Sequence, residues 1–519
     1  MMNLDEHPTV RHFREADPAA EEAIGGRVLE ASWLRRLASE AGADDAGCIG
    51  IGRSELDAQR ADILRVFPWA KTLLSFVCRM NRENIRSPAR SVANLEFHNT
   101  GDEINEVARR MVRVLEQKGI RAINGAMGFP MEADRWPGKM WVVSHKPVAE
   151  AAGLGRMGIH RNIIHPRFGN FVLLGTIILD AEIDEESHPI DYNPCLECKL
   201  CVAACPVGAI GADGHFDFSA CYTHNYREFM GGFTDWVEAI ASSANARSYR
   251  KKVSDAESVS MWQSLSFGAN YKAAYCMAVC PAGDDVIGPF LNDRKRFVKD
   301  VVRPLQDKHE TVYVIAGSDA EGHVARRFPH KTAKRANNSL RPTSVPAFLK
   351  GLPNVFQRGK SKGLNATYHF TFTGGEKIEA TIIIRDEKLQ VLEGHSGRPD
   401  FQLKADSRTW LKFLAKEKYL AWALILSTAR RVVEADSLGA DSSKNSVQGT
   451  TGAAVGIRPL FSCVNPSRLR RQPARGAGVQ RLAEGQSVRL PENIVSLRKG
   501  DAAEVARRFQ VFGRKRTFL

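Results

Sequence analysis

Cys195 to Pro206 reads CLECKLCVAACP, and Cys276 to Pro281 reads CMAVCP. The first run sets cysteines at 195, 198, 201 and 205 in the spacing C-x2-C-x2-C-x3-C-P. In that spacing three thiols on a tight loop reach three irons of one cubane, while the fourth is carried by the next turn to a different cluster. Cys280 with Pro281 repeats the pair Cys205 with Pro206. This reading groups Cys195, Cys198 and Cys201 with Cys280 at a first iron–sulfur cluster, and places Cys205, Cys221 and Cys276 at a second. Zinc is the competing chemistry, but it closes with four ligands and rarely uses a run that ends in proline.

The second group is one ligand short. A C-x2-C-x3-C-P motif ending at Cys280 requires cysteine at position 273, and the residue there is Ala273. The reading leaves three alternatives open: a three-iron form, completion by a non-cysteine group such as water, Tyr275 or His224, or a degraded site. Seven of the ten cysteines fall between Cys195 and Cys280, in spacings that point to metal or redox chemistry more than to disulfides. Cys48, Cys78 and Cys463 have no such neighbours and read as small buried hydrophobes.

Bulk properties narrow the classes further. The chain has 519 residues, 43% hydrophobic and 25% charged, which fits several folded domains and not wholesale disorder. The opening MMNLDEHPTVRHFREADPAAEEAIGG lacks the apolar core of an export signal, so the expected compartment is cytoplasmic. Trp410 to Leu426 is apolar but broken by Lys412, Lys416, Glu417 and Lys418, so it reads as a globular helix and no membrane span is expected. Of the net charge of +14, residues 427–519 hold +10, with 17 Lys and Arg against 7 Asp and Glu. Charge spread along a chain end is ordinarily solvated, which argues against a nucleic-acid partner.

Hydrophobic periodicity divides the rest. After a polar lead at 1–27, VLEASWLRRLASEAGADDAGCIGIG reads as an amphipathic helix and a short strand. GDEINEVARRMVRVLEQKG places Ile104, Val107, Ala108, Met111, Val114 and Leu115 on one helical face and stops at Gly119. KMWVVSH and GNFVLLGTIILD read as core strands on either side of the glycine-rich AGLGRMGIHRN. Residues 28–187 thus form an expected α/β domain, 188–290 a two-cluster ferredoxin-like domain, and 291–345 a helix and linker. From 346 to 426 the alternation changes period: ATYHFTF, KIEATIII and KLQVLEG read as antiparallel strands, and Asp406 as the N-cap of a helix SRTWLKFLA. Residues 427–519 lose both periodicities and read as a frameshifted or divergent tail, poorly folded.

With these residues in hand, 28–290 resembles the cobalamin-dependent reductases, the epoxyqueuosine reductases and reductive dehalogenases. The likeness lies in LRRLASEAGADDAGCIGIG, in AGLGRMGIHRNIIHPRFGNFVLLG, in the interval from Cys205 to Cys221 and in the final CxxxCP. It implies a nitroreductase-like α/β platform that seats a base-off corrinoid, with two clusters relaying electrons to cobalt. By the same likeness Gly153, Leu154, Gly155, Gly158 and Asn162 would line the corrinoid pocket, although such glycines equally serve close packing or a tight turn. Where epoxyqueuosine reductases carry an acidic proton donor ahead of a proline, this chain has Ser144, His145 and Lys146 before Pro147. That departure speaks against the tRNA reaction and makes His145 the candidate acid, its ordinary pKa lying near neutrality.

Residues 346–426 resemble sterol carrier protein type 2 domains through GLNATYHFTFTGGEKIEATIIIRDEKLQV and PDFQLKADSRTWLKFLA. That likeness implies an apolar tunnel for a lipid or other hydrophobic ligand; a packed sandwich without a cavity is the plainer expectation. Together the readings give an iron–sulfur oxidoreductase that takes electrons from a ferredoxin or flavodoxin and delivers them to a corrinoid or a bound organic substrate. The alternative is a non-catalytic electron carrier with a lipid-binding module.

Overall fold

The computed structural model describes residues 4–15, 28–135, 140–337 and 341–415. The expectations for the tail at 427–519, for Cys463 and for the end of the apolar run after residue 415 lie outside the described residues.

The first layer of structure follows the helix and strand periods. Helix α1 (Ala31–Ala41) buries Leu34, Leu37 and Ala38, and β1 (Asp45–Gly50) follows it. Helix α2 (Asp57–Val66) leads into β2 (Thr72–Arg79), whose side chains are buried on both faces except at Arg79. Helix α3 runs from Arg90 to Gln117, eleven residues longer at its start than the apolar spacing alone predicts. Its first turns bury polar groups that hide the period: Asn94 accepts from the Tyr271 amide at 2.9 Å, and Glu96 accepts from the Asn81 amide and from Asn84. Strand β3 (Ala122–Asn124), helix α4 (His145–Ala151) and strand β4 (Val172–Leu179) complete this part.

The sheet order is β1-β2-β4-β3, antiparallel throughout. Alternate residues of β2 serve different cores. Leu74, Phe76 and Cys78 pack with α1 and α3, whereas Leu73 and Val77 pack with Val148, Ala149 and Ile63 of α4 and α2. The register sets Gly175 opposite Phe76, and a Cβ there would meet the ring at 2.1 Å, so this position admits glycine alone. The expected strand at KMWVVSH does not form. β3 already pairs with β4 on that side, Trp141 is exposed, and helix α4 begins at His145.

The cysteine region is built from short helices: α5 (Leu200–Ala204), α6 (Phe218–Asn225), α7 (Gly231–Ala241), α8 (Asp255–Phe267) and α9 (Tyr275–Ala278). The stretch expected as linker carries structure instead. Strand β5 (Thr311–Ile315) pairs in parallel with β6 (Thr332–Ala336) across helix α10 (Asp319–Arg327). Its apolar residues are few but deeply placed, Val312, Val314, Ala320 and Val324 joining the same core as Cys201 and Cys205. The Gln306 amide donates to the Ala203 carbonyl at 2.9 Å, which ties this unit to the cysteine helix.

Beyond it, helix α11 (Val345–Val355) and strands β7 (Ala366–Thr373), β8 (Ile378–Arg385), β9 (Lys388–Glu393) and β10 (Phe401–Asp406) form a sheet of order β9-β8-β7-β10. The first three pair antiparallel as expected, and β10 returns parallel to β7. Helix α12 (Ser407–Leu414) starts at the expected cap, with Asp406 accepting from the Thr409 amide at 2.9 Å. Trp410 fills the centre, its ring 5.4 to 5.8 Å from those of Phe348, Phe370, Phe372 and Phe413. Among the described residues no helix is long and apolar enough to cross a membrane.

Candidate iron–sulfur centre

The loop carrying the first three cysteines is bent by strained backbone. Glu197 and Lys199 have φ of 48° and 63°, a region that side chains other than glycine, asparagine and aspartate seldom adopt. Each lies beside a cysteine, and the bends turn Cys195, Cys198 and Cys201 toward one space. Cys280 arrives from the far segment and lines the same pocket, together with Pro281, Ala282, Ile159 and His160. Among the described residues no three His, Cys, Asp or Glu side chains converge on a point where one metal ion would sit. Four thiols from two distant segments thus line one pocket.

The cysteines lie close enough to act on one another electrostatically, and the interactions cross between the two expected groups, Cys276 acting on both Cys201 and Cys280. Burial pushes the Cys280 thiol up to about 12, and Cys198 and Cys195 add to that rise. Burial also raises Cys201, with Cys276, Cys280, Cys198 and Cys195 all acting on it. In the other group burial raises Cys221, with Cys276 and Cys205 next, and lifts Cys276 to about 12, with Cys205 next. Thiols so buried hold their protons, and a metal bound by them would have to displace those protons.

Chain geometry after each Cys-Pro pair supplies donors to sulfur. The Ala209 amide donates to Cys205 Sγ at 3.3 Å, and the amides of Val207, Gly208 and Ile210 also lower that thiol against the effect of burial. At Cys280 the Ala282 amide does the same. Helix α10 backs this loop: a Cβ on Gly208 would meet the His323 ring at 2.6 Å.

Of the two residues weighed as extra ligands, Tyr275 is engaged elsewhere, while His224 keeps a buried Nε2 with no hydrogen-bond partner among the described residues. Tyr275 donates its hydroxyl to Glu310 Oε2 at 2.6 Å, and His224 Nδ1 accepts from the Tyr313 amide at 3.3 Å. Ala273 is buried, its amide donating to Asn225 Oδ1 at 3.0 Å, and Ala274 beside it is left-handed with φ of 55°. Tyr226, a buried phenol outside every cysteine motif, is the one on which Cys221 and Cys276 act, and with burial they push its pKa up.

The glycine-rich segment is packed against the chain itself. A Cβ on Gly153 would meet the His188 carbonyl at 2.4 Å, and one on Gly155 would meet the Ile164 carbonyl at 2.4 Å. A Cβ on Gly158 would meet Ile164 Cδ1 at 2.7 Å, and Leu154 is a core residue. The Cβ side of each of these three glycines therefore faces the chain itself, which makes close packing one reason for glycine there. Asn162 differs: its Nδ2 lies 4.0 Å from Cys276 Sγ, and its Oδ1 accepts from Lys146 Nζ at 3.1 Å. Lys146 is a second residue whose importance the sequence hides. Burial pushes its pKa down, and the cysteines acting on it are Cys276 and Cys221.

His145 has both ring nitrogens engaged. Nε2 lies 2.9 Å from the Ala126 carbonyl, which can only accept, so Nε2 carries the proton; Nδ1 then accepts from Thr176 Oγ1 at 2.9 Å. Burial lowers its pKa, and the ring is held neutral in one tautomer. To protonate a substrate it would have to leave these partners.

Residues 188–211 match the 4Fe-4S binding domain, and residues 350–423 match the SCP-2 sterol transfer family. The epoxyqueuosine reductase of Vibrio cholerae is 29% identical over 133 residues, covering 25% of this chain and 33% of that protein. The one from Gloeobacter violaceus is 25% identical over 222 residues, 41% of this chain and 61% of that protein. This chain is similar to the epoxyqueuosine reductases. The match spans between a third and about three-fifths of the length of these curated relatives. Among solved structures, epoxyqueuosine reductase from Streptococcus thermophilus is 17% identical with a TM-score of 0.31, covering 52% of this chain and 74% of that one. A catabolic reductive dehalogenase in complex with 3-bromo-4-hydroxybenzoic acid is 14% identical with a TM-score of 0.33, covering 57% and 37%. The similarity to epoxyqueuosine reductases, the 4Fe-4S match and the SCP-2 match agree with the resemblances read from the sequence.

Proposed function

We propose that this chain is an iron–sulfur reductase that holds two clusters and passes single electrons through them to a bound organic substrate. The observation that carries the reading is the pocket lined jointly by Cys195, Cys198, Cys201 and Cys280, residues from two segments far apart in sequence. Bound clusters would supply one-electron steps. The chain's own residues hold and insulate them: Cys195, Cys198, Cys201 and Cys280 at the first, Cys205, Cys221 and Cys276 at the second, with the amides of residues 207–210 donating to Cys205. Charge interaction between Cys201 and Cys276 supports a short path from one group to the other. The antiparallel sheet between helix layers would be the nitroreductase-like platform that carries the substrate.

A corrinoid is the other acceptor this reading allows, and bound cobalamin would supply cobalt-centred redox chemistry. The electron donor in this reading is a ferredoxin or flavodoxin, and the SCP-2-like unit brings an apolar ligand. The alternative, an electron carrier without its own catalysis, is favoured by the full engagement of His145 with Thr176 and Ala126.

Iron and acid-labile sulfide counts on anaerobically purified full-length protein, with electron paramagnetic resonance after reduction, test the reading. Two distinct reduced signals are expected. Protein without iron contradicts it. Consumption of reducing equivalents in the presence of a hydrophobic substrate separates the reductase from the carrier, which turns nothing over.

A further inference from the structure

Two buried cations beside the cysteines are only weakly balanced by carboxylates among the described residues. The Arg86 side chain is 9% exposed and lies between the rings of Phe171 and Phe297, each 5.3 Å from its guanidinium carbon. Its Nε donates to the Ala278 carbonyl at 3.3 Å, and its Nη2 has no partner. The carboxylate near it, Glu83, is 3.9 Å away and 73% exposed, so water screens that attraction, and Arg82 adds a like charge.

Arg90, the first residue of α3, is 8% exposed and sits over the Tyr275 ring at 5.4 Å. Its Nη1 donates to the carbonyls of Ile85 and Ser87, while Nε and Nη2 have no partner. Glu310, the carboxylate within its reach, is already held by the Tyr275 hydroxyl at 2.6 Å and by Lys331 Nζ at 2.8 Å. A buried guanidinium without an opposite charge is strongly unfavourable. Two of them within five residues point to anions that belong beside them. Their places differ: Arg86 is tied to the Ala278 carbonyl, two residues before Cys280, and Arg90 lies over Tyr275, the residue before Cys276.

We propose that Arg86 and Arg90 are the counter-cations of the two clusters, Arg86 serving the one at Cys280 and Arg90 the one at Cys276. This rests on the iron–sulfur reading and deepens it. A cubane with thiolate ligands is an anion, and reduction of one ferric iron to ferrous by one electron from an external donor makes it more negative. A fixed positive charge nearby stabilises the reduced form more than the oxidised form, so it raises the reduction potential of its own cluster.

The test is a redox titration of the anaerobic full-length protein followed by electron paramagnetic resonance, comparing wild type with Arg86→Met, Arg90→Met and the lysine variants at both positions. At a fixed potential, Arg86→Met is expected to lower the reduced-to-oxidised ratio of the first cluster by tenfold or more, about 59 mV for one electron. Arg90→Met does the same to the second cluster, each variant moves the other cluster less, and lysine at either position keeps most of the wild-type potential. Iron-loaded methionine variants with unmoved potentials overturn the proposal, as do lysine variants that shift as far as methionine. If a methionine variant fails to load iron, loading by the lysine variant supports the need for charge, and failure of both overturns it in favour of packing. A wild type without cluster signals sinks the iron–sulfur reading itself, an outcome distinct from a loaded wild type whose variants do not shift.

Discussion

The side-chain amide of Asn162 stands 4.0 Å from the sulfur of Cys276, joining the glycine-rich segment to the three-cysteine group. Lys146 holds the other end of that amide at 3.1 Å, so the nitrogen is aimed at sulfur and not at solvent. A residue expected at a corrinoid thus lies against a cysteine on α9.

Asn162→Leu removes this donor at similar volume. Hydrogen bonds to cluster sulfur raise reduction potentials, so the potential of the second cluster is expected to fall while the first stays in place. A redox titration that resolves the two signals checks this, and an unmoved second potential reduces the contact to packing.

The fold beneath the site has its own pH signature. Burial lifts Cys48 and Cys78, both in the sheet core, from the ordinary thiol value of 9.0 to about 12. Below pH 9.0 both thiols are protonated whether the chain is folded or not, and their contribution to stability is fully present. Above it the unfolded chain releases protons that the folded chain keeps. Stability is then lost as pH rises toward about 12, at about 1.4 kcal/mol per pH unit for each thiol. Urea unfolding from pH 8.5 to 10.5, a range of about two units chosen around the thiol pKa, is expected to show a shallower decline in Cys48→Ala than in wild type. Equal slopes contradict the assignment.

In the SCP-2-like unit the sheet closes on one side chain. Trp410 is 1% exposed and touches four phenylalanine rings. Trp410→Ala is expected to cost about 3–5 kcal/mol in that unit, and Trp410→Phe distinctly less. Denaturant unfolding followed by circular dichroism measures both, and a loss under about 1 kcal/mol for alanine contradicts a tightly filled centre.

That Cys280 lines one pocket with Cys195, Cys198 and Cys201 was legible because spacing and the two Cys-Pro pairs encode which thiols a loop can bring together. The helix at α1, the strand β4 and the cap at Asp406 were legible because period and capping are local. Three features were not. KMWVVSH has the composition of a strand, but β3 takes the sheet position beside β4, a non-local competition. The unit at 311–336 hides its core in four small apolar residues between charged ones, so it reads as linker. Arg86, Arg90 and Lys146 carry charge, which in sequence marks a solvated surface; only packing from distant segments reveals that they are buried beside cysteines.

In the proposed reading, thiols from two separated segments divide between two clusters, Cys280 serving one and Cys221 the other. Iron and sulfide counts with electron paramagnetic resonance on Cys280→Ser and Cys221→Ser test it directly. The account predicts that each variant loses or alters one signal and keeps the other, with the two variants affecting different signals. Loss of the same signal by both, or no change in either, would contradict it.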